Sequence, residues 1–413
     1  KINMTASLIY QLLVGIVILN FLKEELISFF NAKHFNDVLP EELKDVYELD
    51  AYKKSQNYKK TNYVFSFYTN SFSILLTLSF FIFDGFSWLD SFVRSYTSNE
   101  ILQTLFYFAV LFIGNDIINS PFLYYKTFVI EEKFGFNRTT KKIFFLDKLK
   151  GLILTISVGG PMLAIVTWFY QNTGEQFWLF AWGVITFFTI LTNLFYSSLI
   201  VPLFNKQTLL EDGNLKDELE KFAQKIGFNL DKIFVIDGSK RSTKANAYFS
   251  GFGPKKRIVL YDTLIEELTT EQIISVFAHE VGHYKKKHIL FNLIISIALT
   301  GLTLFFLSLL IGNPLLSEAL NIEKTSFYIG LITFSILYSP ISELTGLIMN
   351  FISRKFEYQA DDFAKSYTNP EALINALKVL SKNSLSNLTP HKATVFIHYS
   401  HPTLLERIRN LRK

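Results

Sequence analysis

The stretch VFAHEVGHYKKKHILFNLIISIAL, Val276 to Leu299, carries two histidines and a glutamate in the pattern H-E-x-x-H, then a run of lysines, then an apolar segment fit for a bilayer. On a helix, His279 and His283 lie one turn apart and face the same way, so both imidazoles can reach one ion. Glu280 lies beside them, where it could hold and deprotonate a water. An ordinary amphipathic helix with surface histidines has the same five-residue pattern, so the motif decides the fold only together with its surroundings. A catalytic zinc usually takes three protein ligands and keeps one position open, so a third ligand has to come from elsewhere in the chain.

The 413 residues are 49% apolar and 19% charged, with 43 Phe, which points to a large membrane assembly rather than to soluble domains. There is no cysteine. Disulfides, thiolate ligands and a cysteine nucleophile are thereby excluded, and any metal chemistry must use nitrogen and oxygen. The net charge of +5 is mild and informs only through its placement. The apolar run from Ser7 to Leu22 lacks a small-residue cleavage pattern after it, so no cleavable leader is expected.

A bilayer core needs about 20 mostly apolar helical residues. Seven stretches qualify: Thr5 to Leu22, Tyr63 to Phe83, Ile101 to Tyr125, Gly151 to Tyr170, Phe177 to Val201, Ile289 to Ile311 and Phe327 to Ile352. The third could bend at Pro121 and the fifth could end at Pro202. Lys33, Lys44, Lys53, Lys54, Lys59 and Lys60 lie between the first two spans, and Lys133, Arg138, Lys141, Lys142, Lys148 and Lys150 between the third and fourth. The alternate connections hold little positive charge, so the odd-numbered loops and the C-terminus are expected in the cytoplasm and the N-terminus outside.

The largest cytoplasmic loop, Pro202 to His288, contains the motif. Within it Leu215 to Ile226 reads as an amphipathic helix closed by Gly227, and Lys232 to Ile236 as a short strand. AYFSGFG (Ala247 to Gly253) and RIVLY (Arg257 to Tyr261) read as paired strands around a Gly253, Pro254 turn. Thr269 with Gln272 forms a capping box that starts the histidine helix, which is expected to continue straight into the sixth span.

For the third ligand, the metzincin continuation fails, because the positions it needs are Lys286 and Ile289; His288 is off by one and reads as a surface residue. Span seven returns the chain to the cytoplasmic side, where SRKFEYQADDFA (Ser353 to Ala364) offers Glu357 as the ligand. Asp361, one turn on, could accept a hydrogen bond from a ligating histidine. Glu343 lies 14 residues before Glu357 and so about 21 Å deeper at about 1.5 Å per residue, too far to share the ion. It could line a polar cavity, as could Asn115, Asp116, Asn119 and Ser120.

With HEVGHYKKKH, FEYQAD, SKRSTKANAYFSGFG and HYSHPTLLERI all in order, the sequence resembles the integral-membrane zinc proteases of the type I CAAX prenyl protease family. The resemblance covers the whole chain. It implies a helical membrane protein with seven spans around a water-filled chamber and a cytoplasmic α+β, gluzincin-like portion. It implies His279, His283 and Glu357 as ligands of one zinc ion per chain and Glu280 as general base. Asn246 and Ala247, at an edge strand, would grip the substrate backbone by strand addition. His401 and Arg407 would stand near the reaction centre, His401 steadying the oxyanion.

The expected division is 1–205 for the first five spans, 206–288 for the metalloprotease region, 289–352 for the last two spans and 353–413 for the C-terminal region. The expected activity is endopeptidase cleavage near the C-terminus of prenylated or other membrane-associated polypeptides. Partners are that polypeptide and the bilayer, with no nucleic acid. NLRK at Asn410 to Lys413 is a poor endoplasmic reticulum retrieval signal, which leaves that membrane and a bacterial inner membrane both open. A quality-control zinc protease of the heat-shock type shares the metal motif but typically has fewer spans. A site-2 protease would bury H-E-x-x-H in a span, against Lys285, Lys286 and Lys287. A transporter would explain the spans but not the motifs.

Overall fold

The computed structural model describes residues 4–35, 37–229, 232–250 and 257–413. Its N-terminal half is helical. The Thr5 hydroxyl accepts the Leu8 N–H and starts α1, Ala6–Lys33. α2 spans Leu49–Ile82, the short amphipathic α3 spans Gly85–Tyr96, and α4 spans Glu100–Tyr125. α4 runs through Pro121 and loosens into a π-helical turn at Lys126–Glu131. α1 and α2 reach well beyond the apolar windows of the sequence because their polar ends belong to a second layer. Ser55, Gln56 and Lys59 of α2 are buried there.

α5 (Lys141–Leu154), α6 (Gly160–Thr173) and α7 (Phe177–Phe195) form one apolar run. A tight turn at Gly174–Gln176 interrupts it, with Gly174 at φ 56°, a backbone region suited to glycine. α6 and α7 pack on each other, so the 64-residue apolar segment Lys141–Phe204 folds back on itself. Pro202 does not end it: helical backbone continues to Phe204, with the proline in a first turn where its missing N–H costs nothing.

Among the described residues four strands follow: β1 (Gln207–Leu209), β2 (Ile233–Ile236), β3 (Ala247–Ser250) and β4 (Arg257–Tyr261), in the order β1-β2-β4-β3. β2 and β4 are parallel, while β3 runs antiparallel to β4 with Ala247 opposite Leu260 and Ser250 opposite Arg257. Ile258, Val259 and Leu260 are buried, and β3 is left at an edge of the sheet among the described residues. The expected Gly253, Pro254 turn lies outside them. α8, Asn214–Lys225, stands between β1 and β2, and Gly227 after it has φ 61°.

α9, Thr270–Lys285, begins with the expected capping box. It does not continue into the next helix. Lys287 adopts φ 60°, and α10, His288–Leu310, starts in a new direction. α11, Phe327–Tyr367, is 41 residues long, or about 60 Å at about 1.5 Å per residue. It carries the chain without a break from the apolar layer to Glu357 and Asp361, so position 352/353 falls inside one helix. α12 (Pro370–Asn383), α13 (Lys392–His398) and α14 (Leu404–Leu411) complete the chain.

Six segments among the described residues are long and apolar enough to cross a membrane. The polar layer has its own core, in which Leu219, Leu260, Phe277, Val281, Ile374 and Ile408 meet Leu43, Val46 and Tyr47 from the α1–α2 connection and Ile130 and Phe134 from the stretch after α4. Ion pairs Lys378–Asp45 (2.6 Å), Lys244–Glu131 (3.0 Å) and Arg241–Asp147 (2.7 Å) join the same parts. At the other pole, the Asn321 amide donates to Asp84 at 2.7 Å, and Gln171 donates to Glu100 at 3.1 Å. There the buried Asp90 carboxylate accepts from Arg94 Nε (2.8 Å) and the Tyr328 hydroxyl (2.5 Å).

Candidate metal centre

α9 sets His279 and His283 one turn apart with their Nε2 atoms 3.1 Å from each other. α11 crosses α9 at Gly282, where a Cβ would meet the Ala360 Cα at 3.1 Å, so the glycine permits a close approach of two backbones. That approach brings in the Glu357 carboxylate: Oε2 lies 3.4 Å from His279 Nε2 and Oε1 lies 3.3 Å from His283 Nε2. The three donor atoms lie within 4.8 Å of one another. Glu357 is 4% exposed, and its Oε2 has no hydrogen-bond partner. His279 Nε2 at 3.4 Å and Arg407 Nη1 at 3.7 Å face that oxygen at ion-pair distance, but a buried carboxylate oxygen without a hydrogen bond is costly and calls for a cause. A cation shared with the two imidazoles satisfies it, and two nitrogens with one oxygen are a donor set that suits zinc.

Behind the donors, His279 Nδ1 donates to Asp361 Oδ1 at 2.9 Å. Asp361 is fully buried and held by Arg407 through Nε (2.9 Å) and Nη2 (2.6 Å). Burial disfavours the Arg407 charge, but Asp361 and Glu357 outweigh it and the guanidinium is held more firmly protonated than usual. The second histidine has a different backing. His283 Nδ1 lies 3.1 Å from His288 Nδ1, and His288 Nε2 lies 2.8 Å from Gln359 Oε1. His288, expected at the surface, is instead buried and stacked on Phe356 at 4.0 Å, because the break at Lys287 turns it back against α9.

Glu280 faces the cavity, and burial pushes its carboxyl above the usual range despite the opposing pull of the two imidazoles. His401 Nε2 lies 3.3 Å from Glu357 Oε1, and its Nδ1 is 2.9 Å from the Ser400 hydroxyl. Asn246 is exposed at the mouth. Its side-chain oxygen accepts the Ala247 N–H at 2.8 Å, and its carbonyl accepts the Tyr261 N–H at 3.1 Å. Asn246, Ala247, Glu280, Glu357, His401 and Arg407 all line one cavity of about 410 Å³. Glu343 stands apart in an ion pair with Lys23 at 2.5 Å, and His398 pairs with Glu24 at 3.2 Å.

The model of the CAAX prenyl protease N-terminal region, with five membrane helices, matches residues 29–206, and that of peptidase family M48 matches residues 209–413. A CAAX prenyl protease 1 homolog of Dictyostelium discoideum is 37% identical, with 94% of this chain and 96% of that one covered. The chain belongs to the CAAX prenyl protease 1 family of M48 peptidases. The Saccharomyces cerevisiae CAAX prenyl protease 1 is 34% identical over 90% of this chain and 88% of its own length. The crystal structure of S. mikatae Ste24p superposes with a TM-score of 0.93 at 32% identity, covering 100% of both chains. This M48 peptidase is therefore a multi-pass membrane metalloendopeptidase with the Ste24p fold. The match extends through the N-terminal helices, which displaces the heat-shock-type, site-2 and transporter readings.

The sequence reading missed two neighbours of the site. His288 was visible within HEVGHYKKKH, but only the left-handed Lys287 brings it inward. Gln359 sits two residues after Glu357, and nothing in the pattern marks it.

Proposed function

We propose that this M48 peptidase holds one zinc ion per chain on His279, His283 and Glu357 and cleaves near the C-terminus of prenylated or other membrane-associated polypeptides. The observation that carries the reading is the convergence of the three donors beside Glu280 in a cavity lined by residues of β3, an edge strand among the described residues. When bound, zinc supplies Lewis-acid polarisation of a peptide carbonyl and of a water. The Glu280 carboxylate takes a proton from the attacking water and delivers it to the leaving amine. An N–H of the His401 ring, 3.3 Å from Glu357 at its Nε2, steadies the developing oxyanion. Arg407 and Asp361 hold His279 in place. The β3 edge at Asn246 and Ala247 holds an extended peptide by strand addition.

We read the apolar helices as seven spans, counting Lys141–Phe204 as two because it folds back at Gly174. The division 1–205, 206–288, 289–352 and 353–413 stands as a proposal, with N-terminal connections contributing to the peptidase core. The lysine-rich connections pack with that core, which supports a cytoplasmic active site in a bacterial inner membrane or the endoplasmic reticulum membrane. Lys23, Glu343, Asp116 and Lys148 form ion pairs along otherwise apolar helices, as lining of an intramembrane chamber would.

The test is cleavage of a farnesylated C-terminal peptide by purified protein, with zinc counted per chain. Turnover that requires the prenyl group and about one zinc supports the reading. Equal turnover of a soluble, unprenylated and unanchored peptide contradicts its substrate half.

A further inference from the structure

The two histidines of the metal centre are backed by chemically different groups. His279 Nδ1 meets the Asp361 carboxylate at 2.9 Å, which can only accept, with Arg407 Nη2 farther off at 3.3 Å and itself bound to the same carboxylate. His283 Nδ1 meets another imidazole, which can accept or donate. For His283 to present a lone pair at Nε2, its proton must sit on Nδ1, and His288 Nδ1 must then be the acceptor. That requires the His288 proton to be on Nε2, 2.8 Å from Gln359 Oε1, which accepts it.

The opposite polarity is chemically complete as well. A flipped Gln359 amide would donate to His288 Nε2, His288 Nδ1–H would donate to His283 Nδ1, and the His283 proton would move to Nε2, which blocks metal binding there. Whether position 359 accepts or donates therefore goes with the direction of the whole relay, and in this structure it is the Gln359 oxygen that faces His288 Nε2.

We infer that His288 and Gln359 are positioning residues that keep the His283 proton on Nδ1, so that its Nε2 is free for the metal. This inference rests on the ligand assignment proposed above. The stack of His288 on Phe356, with rings 8° from parallel and 4.0 Å apart, fixes the plane in which the relay runs. Outer partners of ligating histidines are worth about 10- to 100-fold in metal affinity.

The experiment is zinc affinity of the full-length protein in detergent, read by chelator competition. His288→Phe keeps an aromatic ring on Phe356 but removes the acceptor, and it should weaken zinc binding about 10- to 100-fold. Gln359 is exposed, so its variants leave packing alone. Gln359→Leu should weaken zinc binding in the same direction. Gln359→Glu should bind at least as tightly as the native protein, because a carboxylate accepts and cannot donate. If His288→Phe loses its melting transition, the Gln359 pair decides. Native affinity in both His288→Phe and Gln359→Leu overturns the inference, as does a Gln359→Glu protein weakened as much as Gln359→Leu. His283→Ala and Glu357→Ala are run alongside: zinc retained there removes the ligand assignment itself, whereas zinc lost there but held by the relay variants removes the relay alone.

Discussion

A Cβ on Gly282 would lie 3.1 Å from the Ala360 Cα, so the distance between the histidine helix and the carboxylate helix is set by a missing methyl group. Gly282→Val should push α9 from α11 and draw Glu357 and Asp361 away from the imidazoles. Overpacking of this kind costs about 1–3 kcal/mol. We expect a lower Tm and weaker zinc retention together. A variant that melts earlier but keeps zinc as tightly as the native protein would show that the close contact serves stability only.

His401 can act as an oxyanion donor or as a binding residue, and kinetics separate the two. His401→Ala should lower kcat by about 10²- to 10³-fold while KM changes little. A rise in KM at unchanged kcat would assign it to substrate binding instead.

Asn246 directly precedes β3, an edge strand among the described residues, and its side-chain oxygen accepts the Ala247 N–H. Asn246→Ala should lower kcat/KM and leave zinc content at the native level. An unchanged kcat/KM would take Asn246 out of the substrate grip.

The two poles of the molecule make topology measurable. A reporter fused after Lys413 should report the cytoplasm, and one inserted near Ser317 the opposite side. Both on one side would overturn the seven-span count.

The sequence made the spans legible because apolar length is a property of composition, and the histidine helix legible because a capping box and a 3.6-residue period are local. The convergence of Glu357 with the histidine pair was legible from topology: a helix that leaves and one that returns bring their ends together. Helix ends were not legible. α2 continues into the apolar core of the peptidase layer, whose partners, such as Ile130, Phe277 and Ile374, come from distant parts of the chain. Nor was the fate of His288, since a left-handed lysine carries no signal comparable to a glycine. β1 is three residues long and exists only through pairing with β2.

The most direct test lies in two glutamates with different duties. An amide is a poor anionic ligand and a useless proton acceptor, so Gln substitution answers differently at each. Glu280→Gln should keep about one zinc per chain and bind peptide, while turnover falls to background for want of a base. Glu357→Gln should lose or weaken zinc, with activity partly restored by excess metal. Glu343→Gln, whose native carboxylate pairs with Lys23, should keep zinc. The account is contradicted if Glu357→Gln holds zinc at full stoichiometry while Glu343→Gln loses it.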